Sequence, residues 1–398
     1  MKERRINNKK NIYKDNLPAN FIWLIKYPVY CLLILIAFII PGCKDNGENI
    51  VDPFNNSEPI NISGPAKDIT QFELILEKLR RNYRIPAFSA AITKDGKIVW
   101  AQGFGYAYIE TGKKATPSTS YHLASLTKTF ASTIVMQLVE EGLVNLDDPV
   151  SKYGITLESQ GTVLVKHIFS HTSEGIPGTY FRYNGGRFGM LDYVISGATN
   201  KSFCELLNER IISVLNLQNT APNILASNNC MLRTAEEKIN FAKNLAEGYA
   251  SDGTTVEGYP TYFGTAAGLI SSVLDVAKYS IAIDNNVFLK PETKELAFSP
   301  FISNSGEELP YGLGWFIYKE SGLRIIWHYG YWTANSSLII KVPDKKLAFV
   351  ILANSDKLSS ASNNIGIDGN LRRSIVAGEF LDAFVFGNAA LPDIPYSD

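Results

Sequence analysis

Two hairpin signals stand at opposite ends of this chain. Near the start, FSAAITKDGKIVWAQGFGYA (residues 88–107) has two strand-like runs about Asp95-Gly96, a dipeptide suited to the tight turn of an antiparallel pair. Near the finish, SSLIIKVPDKKLAFVILAN (336–354) has two apolar runs about Pro343-Asp344. A helix accompanies each. DITQFELILEKLRRNYR carries Phe72, Leu74, Ile75, Leu76 and Leu79 at amphipathic spacing, and a second helix is expected from about Asn370 to Phe380. The sequence between the hairpins is largely helical in pattern. Strands and a helix at both ends predict one antiparallel sheet built from both chain ends, flanked by helices, with a largely helical insertion. That is an α+β fold and not a doubly wound parallel sheet. No repeat at solenoid spacing is present.

The chain is globular in composition, 45% hydrophobic and 19% charged, with 38 Lys+Arg against 39 Asp+Glu. A net charge of -1 provides no basic field for nucleic acid, and no nucleic-acid motif is found. Residues 1–42 read as a signal peptide. Lys2, Arg4, Arg5, Lys9, Lys10 and Lys14 precede the apolar run YPVYCLLILIAFIIPGC, which is short for a spanning helix of about 20 residues. IIPGC resembles the lipobox of bacterial lipoproteins, so Cys43 is the expected lipidation site and membrane anchor; an uncleaved N-terminal anchor is the alternative. Both place the body of the protein outside the cytoplasm, in the cell envelope. Residues 43–66 are polar and turn-rich and read as a tether before a domain at 67–390. Cys204 and Cys230 remain in that domain, where an exported protein can pair them. No C-x-x-C occurs.

One stretch carries chemistry. HLASLTKTFAS (122–132) sets Ser125 and Lys128 three positions apart, one turn of helix, and Leu126, Phe130, Ile134 and Leu138 then recur every four residues toward Gly142. Ser125 therefore falls at or near a helix N-terminus, where free N–H groups favour developing negative charge. A partly desolvated Lys128 can lose its proton near neutral pH and serve as base. S-x-x-K alone is a weak signal, and its partners decide.

Those partners occur in order. YHLASLTKTFAS, GLVNLDDPVSKY, VKHIFSHTSEGIP, FRYNGGRFGML, AAGLISSVLDVAKY, and YGLGWF with HYGYW make the chain resemble the class C β-lactamase-like serine hydrolases from about residue 70 to 380. This beta-lactamase-related family includes D-alanyl-D-alanine carboxypeptidases and esterases. The resemblance implies a β-lactamase/transpeptidase-like fold and acyl-enzyme chemistry on a peptide, ester or β-lactam carbonyl, with no metal or organic cofactor. Ser125 is then the nucleophile, Lys128 its proton partner, and Tyr183 a phenolic acid or base that needs nearby positive charge to act as phenolate. His328 stands in the place of the family's third-motif lysine. His328, Tyr329 and Gly330 line the site from an edge strand, Gly330 admits substrate backbone, and the N–H of Tyr331 joins that of Ser125 in an oxyanion hole.

The chain departs from the pattern at two points. Glu174 precedes the glycine of the H-x-x-S-H-T-S-G stretch. Asn184-Gly185 follows Tyr183 where Ser-Asn is usual, which displaces the asparagine that contacts the substrate amide. A non-catalytic penicillin-binding-protein-like binder that keeps the fold is the alternative function. His167 and His171 are four apart, but Ile168 occupies the glutamate position of H-E-x-x-H, so both are expected to pack rather than bind metal. His122 is read as packing too. Trp315 and Trp332 are candidates either for a cleft or for the core.

Overall fold

The computed structural model of the chain describes residues 64–222, 230, 233–360 and 365–397, so the leader, Cys43 and most of the tether lie outside it. Its strands are β1 (Ala87–Lys94), β2 (Lys97–Tyr108), β3 (Lys113–Lys114), β4 (Ser120–His122), β5 (Gly248–Tyr249), β6 (Val256–Glu257), β7 (Ile270–Ser272), β8 (Phe316–Glu320), β9 (Leu323–Trp332), β10 (Asn335–Val342) and β11 (Leu347–Ala353). Seven of them make one antiparallel sheet in the order β3-β2-β1-β11-β10-β9-β8. The two hairpins join at its centre: β1 pairs with β11 from Phe88 opposite Ala353 to Lys94 opposite Leu347. Asp95 and Gly96 both adopt positive φ, at 50° and 75°, the mirror-image turn that matches strand twist.

Side chains on β1 and β11 alternate between two cores. Phe88, Ala90, Ile92, Phe349 and Ile351 face one; Ala87, Ala91, Val350 and Leu352 face the other. Both faces are covered, which explains why these strands read as apolar runs with no polar alternation. The first face is covered by α1 (Ile69–Asn82), capped by Asp68, whose side chain accepts the Gln71 N–H at 2.9 Å. Phe72 and Leu76 are fully buried there, while Leu74 turns outward, 44% exposed, so it is not part of the expected stripe. Phe72 meets the edges of Trp100, Phe349 and Phe384 at 6.2, 5.8 and 5.1 Å. Contacts of this kind add about 0.5–1.5 kcal/mol each to the area they bury. Phe384 follows the C-terminal helix, which runs Ile375–Phe380, so both chain ends share this core.

The second face carries the helical insertion. Its centre is α2 (Thr127–Glu140), with Leu126, Phe130, Ile134 and Leu138 at 0% exposure. Burying each large apolar side chain contributes about 1.5–3 kcal/mol. Phe130 stacks on Tyr279 of α3 (Val273–Asp284) at 3.8 Å between ring centroids. Cys204 and Cys230 form a disulfide, Cα atoms 5.6 Å apart. Trp315 is buried in this core, while Trp332 is 37% exposed.

The edge expected at His328 exists in part. β9 lies inside β8, but β8 pairs only up to Trp327, leaving residues 328–332 paired on one side alone, to β10. This segment passes close to the turn that precedes α2. A Cβ on Gly330 would fall 2.1 Å from the Leu123 carbonyl oxygen and 2.3 Å from Ser337 Oγ. A close approach at Gly330 is thus made by the protein's own backbone, a structural reason for glycine there beside the substrate approach that the resemblance implies. Gly330→Ala is predicted to lower stability by about 1–3 kcal/mol or more through overpacking, visible as an earlier midpoint in denaturant.

Candidate active site

Ser125 sits in a single 3-10 turn, Ala124–Leu126, immediately before α2. Ala124 is held at φ 48°, a left-handed conformation that a Cβ disfavours. Neighbours over-determine it. The Ala124 N–H donates to His122 Nδ1 at 3.2 Å, Thr127 Oγ1 donates to the Ala124 carbonyl at 2.7 Å, and Ser337 Oγ donates to the Leu123 carbonyl at 2.7 Å. The Leu123 N–H donates to the Leu269 carbonyl at 2.7 Å. Local strain of this type persists only where the surroundings enforce it. His122 is therefore a brace for the turn as well as a packing residue.

Lys128 is the most consequential side chain in the cleft. It is fully buried, and its Nζ donates to Ser125 Oγ at 2.9 Å and to the Ala266 carbonyl at 2.8 Å. No carboxylate among the described residues pairs with it. Burial alone brings its pKa down to about 7, so much of it is neutral amine at neutral pH.

Tyr183 reaches the same place from the loop before the short helix Gly185–Phe188. Its ring stacks on Phe316 at 5.9 Å and leans on His171 at 4.3 Å, and Lys128 Nζ lies 5.1 Å from its centroid. The hydroxyl is buried and makes no hydrogen bond of ordinary geometry, although it faces Ser125 closely enough for that hydroxyl to favour the phenolate somewhat. Burial, with Tyr329 second, dominates and drives Tyr183 well above the usual tyrosine range. In the resting site Tyr183 is therefore a neutral phenol, the acid of the two forms the resemblance allows, beside an amine that titrates at about 7.

His328 lies behind Tyr183 and is fully buried. Its Nε2 is 2.9 Å from the Tyr311 hydroxyl and its Nδ1 is 2.7 Å from the Tyr329 carbonyl oxygen. Burial and the nearby Lys128 lower its pKa to about 3. It is a neutral ring with both nitrogens engaged, so although it stands in the place of the family's lysine it brings no charge to the site.

Asn184 is also occupied. It caps the short helix by accepting the Arg187 N–H at 2.9 Å, and its Nδ2 donates to Glu174 Oε1 at 2.6 Å. Glu174 pairs in turn with Arg182 at 3.0 Å. The two departures in the sequence thus meet in space, and Asn184 is withdrawn from the substrate contact expected of it. Gly185 faces Lys128, where a Cβ would stand 3.8 Å from Nζ, so that side of the cleft has no side chain. Tyr331 lies opposite Ser336 on the half-free stretch of β9, its side chain 51% exposed.

His167 and His171 serve separate bonds: His167 Nδ1 accepts the Leu164 N–H and His171 Nδ1 accepts the Asn184 N–H, each at 3.1 Å. Among the described residues no group of three or more His, Cys, Asp or Glu side chains is arranged to hold a metal. The cleft in front of Ser125 and Lys128 encloses about 530 Å³ and is lined also by Gly185, Met190, Asp192, Tyr262 and Trp332. A larger hollow of about 810 Å³, at the hairpin ends around Lys94 and Lys345, has no paired nucleophile and base. Spacing did not foretell Asp192, Tyr262 or the Ala266 carbonyl, because tertiary structure alone brings them to Ser125.

The family model for Beta-lactamase matches residues 72–368. Among curated proteins, the chain is 25% identical to penicillin-binding protein 4* of Bacillus subtilis (strain 168), over 72% of this chain and 71% of that protein. It is 24% identical to protein flp of Staphylococcus aureus (strain MW2), over 71% of this chain but only 62% of flp's length. Two solved structures share the fold. The octameric penicillin-binding protein homologue from Pyrococcus abyssi has a TM-score of 0.64 and 26% identity, covering 73% of this chain and 74% of that one. D-alanine carboxypeptidase AmpC from Burkholderia cenocepacia has a TM-score of 0.62 and 19% identity, covering 77% and 97%. A match of that extent, on a chain whose serine and buried lysine already face each other, means that the protein belongs to the beta-lactamase family.

Proposed function

We propose that the protein is an exported serine hydrolase that works through an acyl-enzyme. The observation that carries this is the 2.9 Å contact between Ser125 Oγ and a fully buried Lys128 amine without a carboxylate partner among the described residues. Neutral Lys128 removes the Ser125 proton as Oγ attacks the substrate carbonyl. The tetrahedral oxyanion is held by the N–H groups of Ser125 and Tyr331, at the positive end of α2. As the bond to the leaving group breaks, Tyr183 passes its phenolic proton to that group and recovers one from the Lys128 ammonium. Water then adds to the acyl-serine with Lys128 as base, releasing the acid and restoring Ser125–OH. The carbonyl belongs to a peptide, an ester or a β-lactam. Withdrawal of Asn184 and the bare Gly185 favour esters over substrates that need a held amide.

Export rests on the basic-apolar leader ending at Cys43, with lipidation there as the anchor. The Cys204–Cys230 disulfide supports an oxidising compartment. No described helix is long and apolar enough to cross a membrane.

A fluorophosphonate probe is expected to add one adduct by intact mass and none to Ser125→Ala; no adduct on either would favour the binding-protein alternative. Because only neutral Lys128 accepts a proton, the labelling rate should rise with pH through about 7 and level off above it. A rate that is flat from pH 5 to 9, or that climbs only toward 10, would remove Lys128 from the base role. Lys128→Arg cannot deprotonate, and labelling should slow by about 10²–10⁴-fold.

A further inference from the structure

One lysine and one aspartate among the described residues line the cleft, and they differ in their partners. Lys128 is committed to Ser125 and the Ala266 carbonyl. The other is Asp192, in the helix Leu191–Thr199. Its Oδ1 accepts the Thr265 N–H at 3.0 Å, and no cationic side chain among the described residues pairs with it. Burial raises its pKa to about 6, which leaves it mostly ionised at neutral pH.

Aromatic rings share the cleft with this carboxylate. Tyr262 stacks on Trp332, centroids 6.3 Å apart and planes within 10°. The Tyr262 hydroxyl and Asp192 Oδ2 converge on Gly264, where a Cβ would lie 2.7 and 2.5 Å from them. Tyr193 adds a ring that is 61% exposed. A carboxylate that lines one cleft with Tyr262 and Trp332 suits an ammonium group, through ion pairing in a partly desolvated site and cation–π contact with ring surface that the stack leaves open.

Beyond Lys128 and the N–H groups assigned to the oxyanion, no described side chain lining the cleft is a cation. His328 is neutral and buried, Gly185 has no side chain, and Arg182, in the separate hollow beyond Tyr183, is paired with Glu174. Resting on the hydrolase reading above, we propose that the cleft selects acyl substrates bearing a positively charged amine near the reacting carbonyl, and that Asp192 is the residue that sets this preference. Amino-acyl and alkylammonium esters or amides fit; substrates that present a carboxylate there do not.

The test uses the full chain and three esters with one chromogenic phenol leaving group: 4-aminobutyryl, its neutral isostere pentanoyl, and the anionic succinyl. The expected kcat/KM order is aminobutyryl, pentanoyl, succinyl, with at least tenfold between the first two. Asp192→Asn should bring the cationic-to-neutral ratio close to one, and Asp192→Lys should invert it. A wild-type ratio near one, a preference for succinyl, or a ratio unchanged in Asp192→Asn overturns the proposal while Ser125-dependent turnover leaves the hydrolase reading standing. Should no ester turn over, calorimetric binding of 4-aminobutyramide and pentanamide to the full chain decides the point. At least tenfold tighter binding of the amine, lost in Asp192→Asn, supports the cation site without the hydrolase; equal affinities overturn it.

Discussion

A buried amine with no counter-ion among the described residues organises this protein. Taking a lysine out of water without a carboxylate costs several kcal/mol if the charge is kept, and the cheaper state is to shed the proton. Lys128 is in that position, with a hydroxyl and a backbone carbonyl as its partners. Stability is given up, and on the proposed function what is gained is a base at neutral pH. Its consequences spread outward. The aromatic wall of Tyr183, Tyr311, Phe316 and His328 excludes water, and the same exclusion keeps Tyr183 protonated and His328 neutral.

The sheet exists to hold that arrangement still. Ser125 lies on a strained turn, and the strain is tolerated because separate elements grip it: β10 through Ser337, the segment entering β7 through Leu269, and β9 through the space left by Gly330. The departures at Glu174 and Asn184 are likewise read best together. Each looks anomalous singly, and in the folded chain they are donor and acceptor of one hydrogen bond.

The architecture was legible because hydrophobic pattern and turn chemistry are local. Asp95-Gly96, the paired apolar runs and the four-residue recurrence after Ser125 each announce their element without help from the rest of the chain. Ser125, Lys128 and Tyr183 were singled out by ordered motifs, and the fold brings the three side chains together. The fates of His328 and Asn184 were not legible, because the Tyr311 and Glu174 side chains that engage them stand 17 and 10 positions away in sequence. Asp192 and Tyr262 carry no spacing signal at all, and Ala124 gives no hint in composition that its backbone is left-handed. Leu74 was assigned to a stripe whose width only the packed sheet could define.

The pairing of β1 with β11 has a temporal consequence. Leu123 and Ser337, whose hydrogen bond steadies the nucleophile's turn, are 214 residues apart in sequence. A chain emerging N-terminus first displays Ser125 and Lys128 long before the strands that seat them exist. High contact order makes such closure slow, and during it the amine is hydrated, protonated and inert. On the proposed function, reactivity toward acyl groups is thereby withheld from the nascent polypeptide and arises only once the last strands have docked, so maturation itself is the safety catch on the serine.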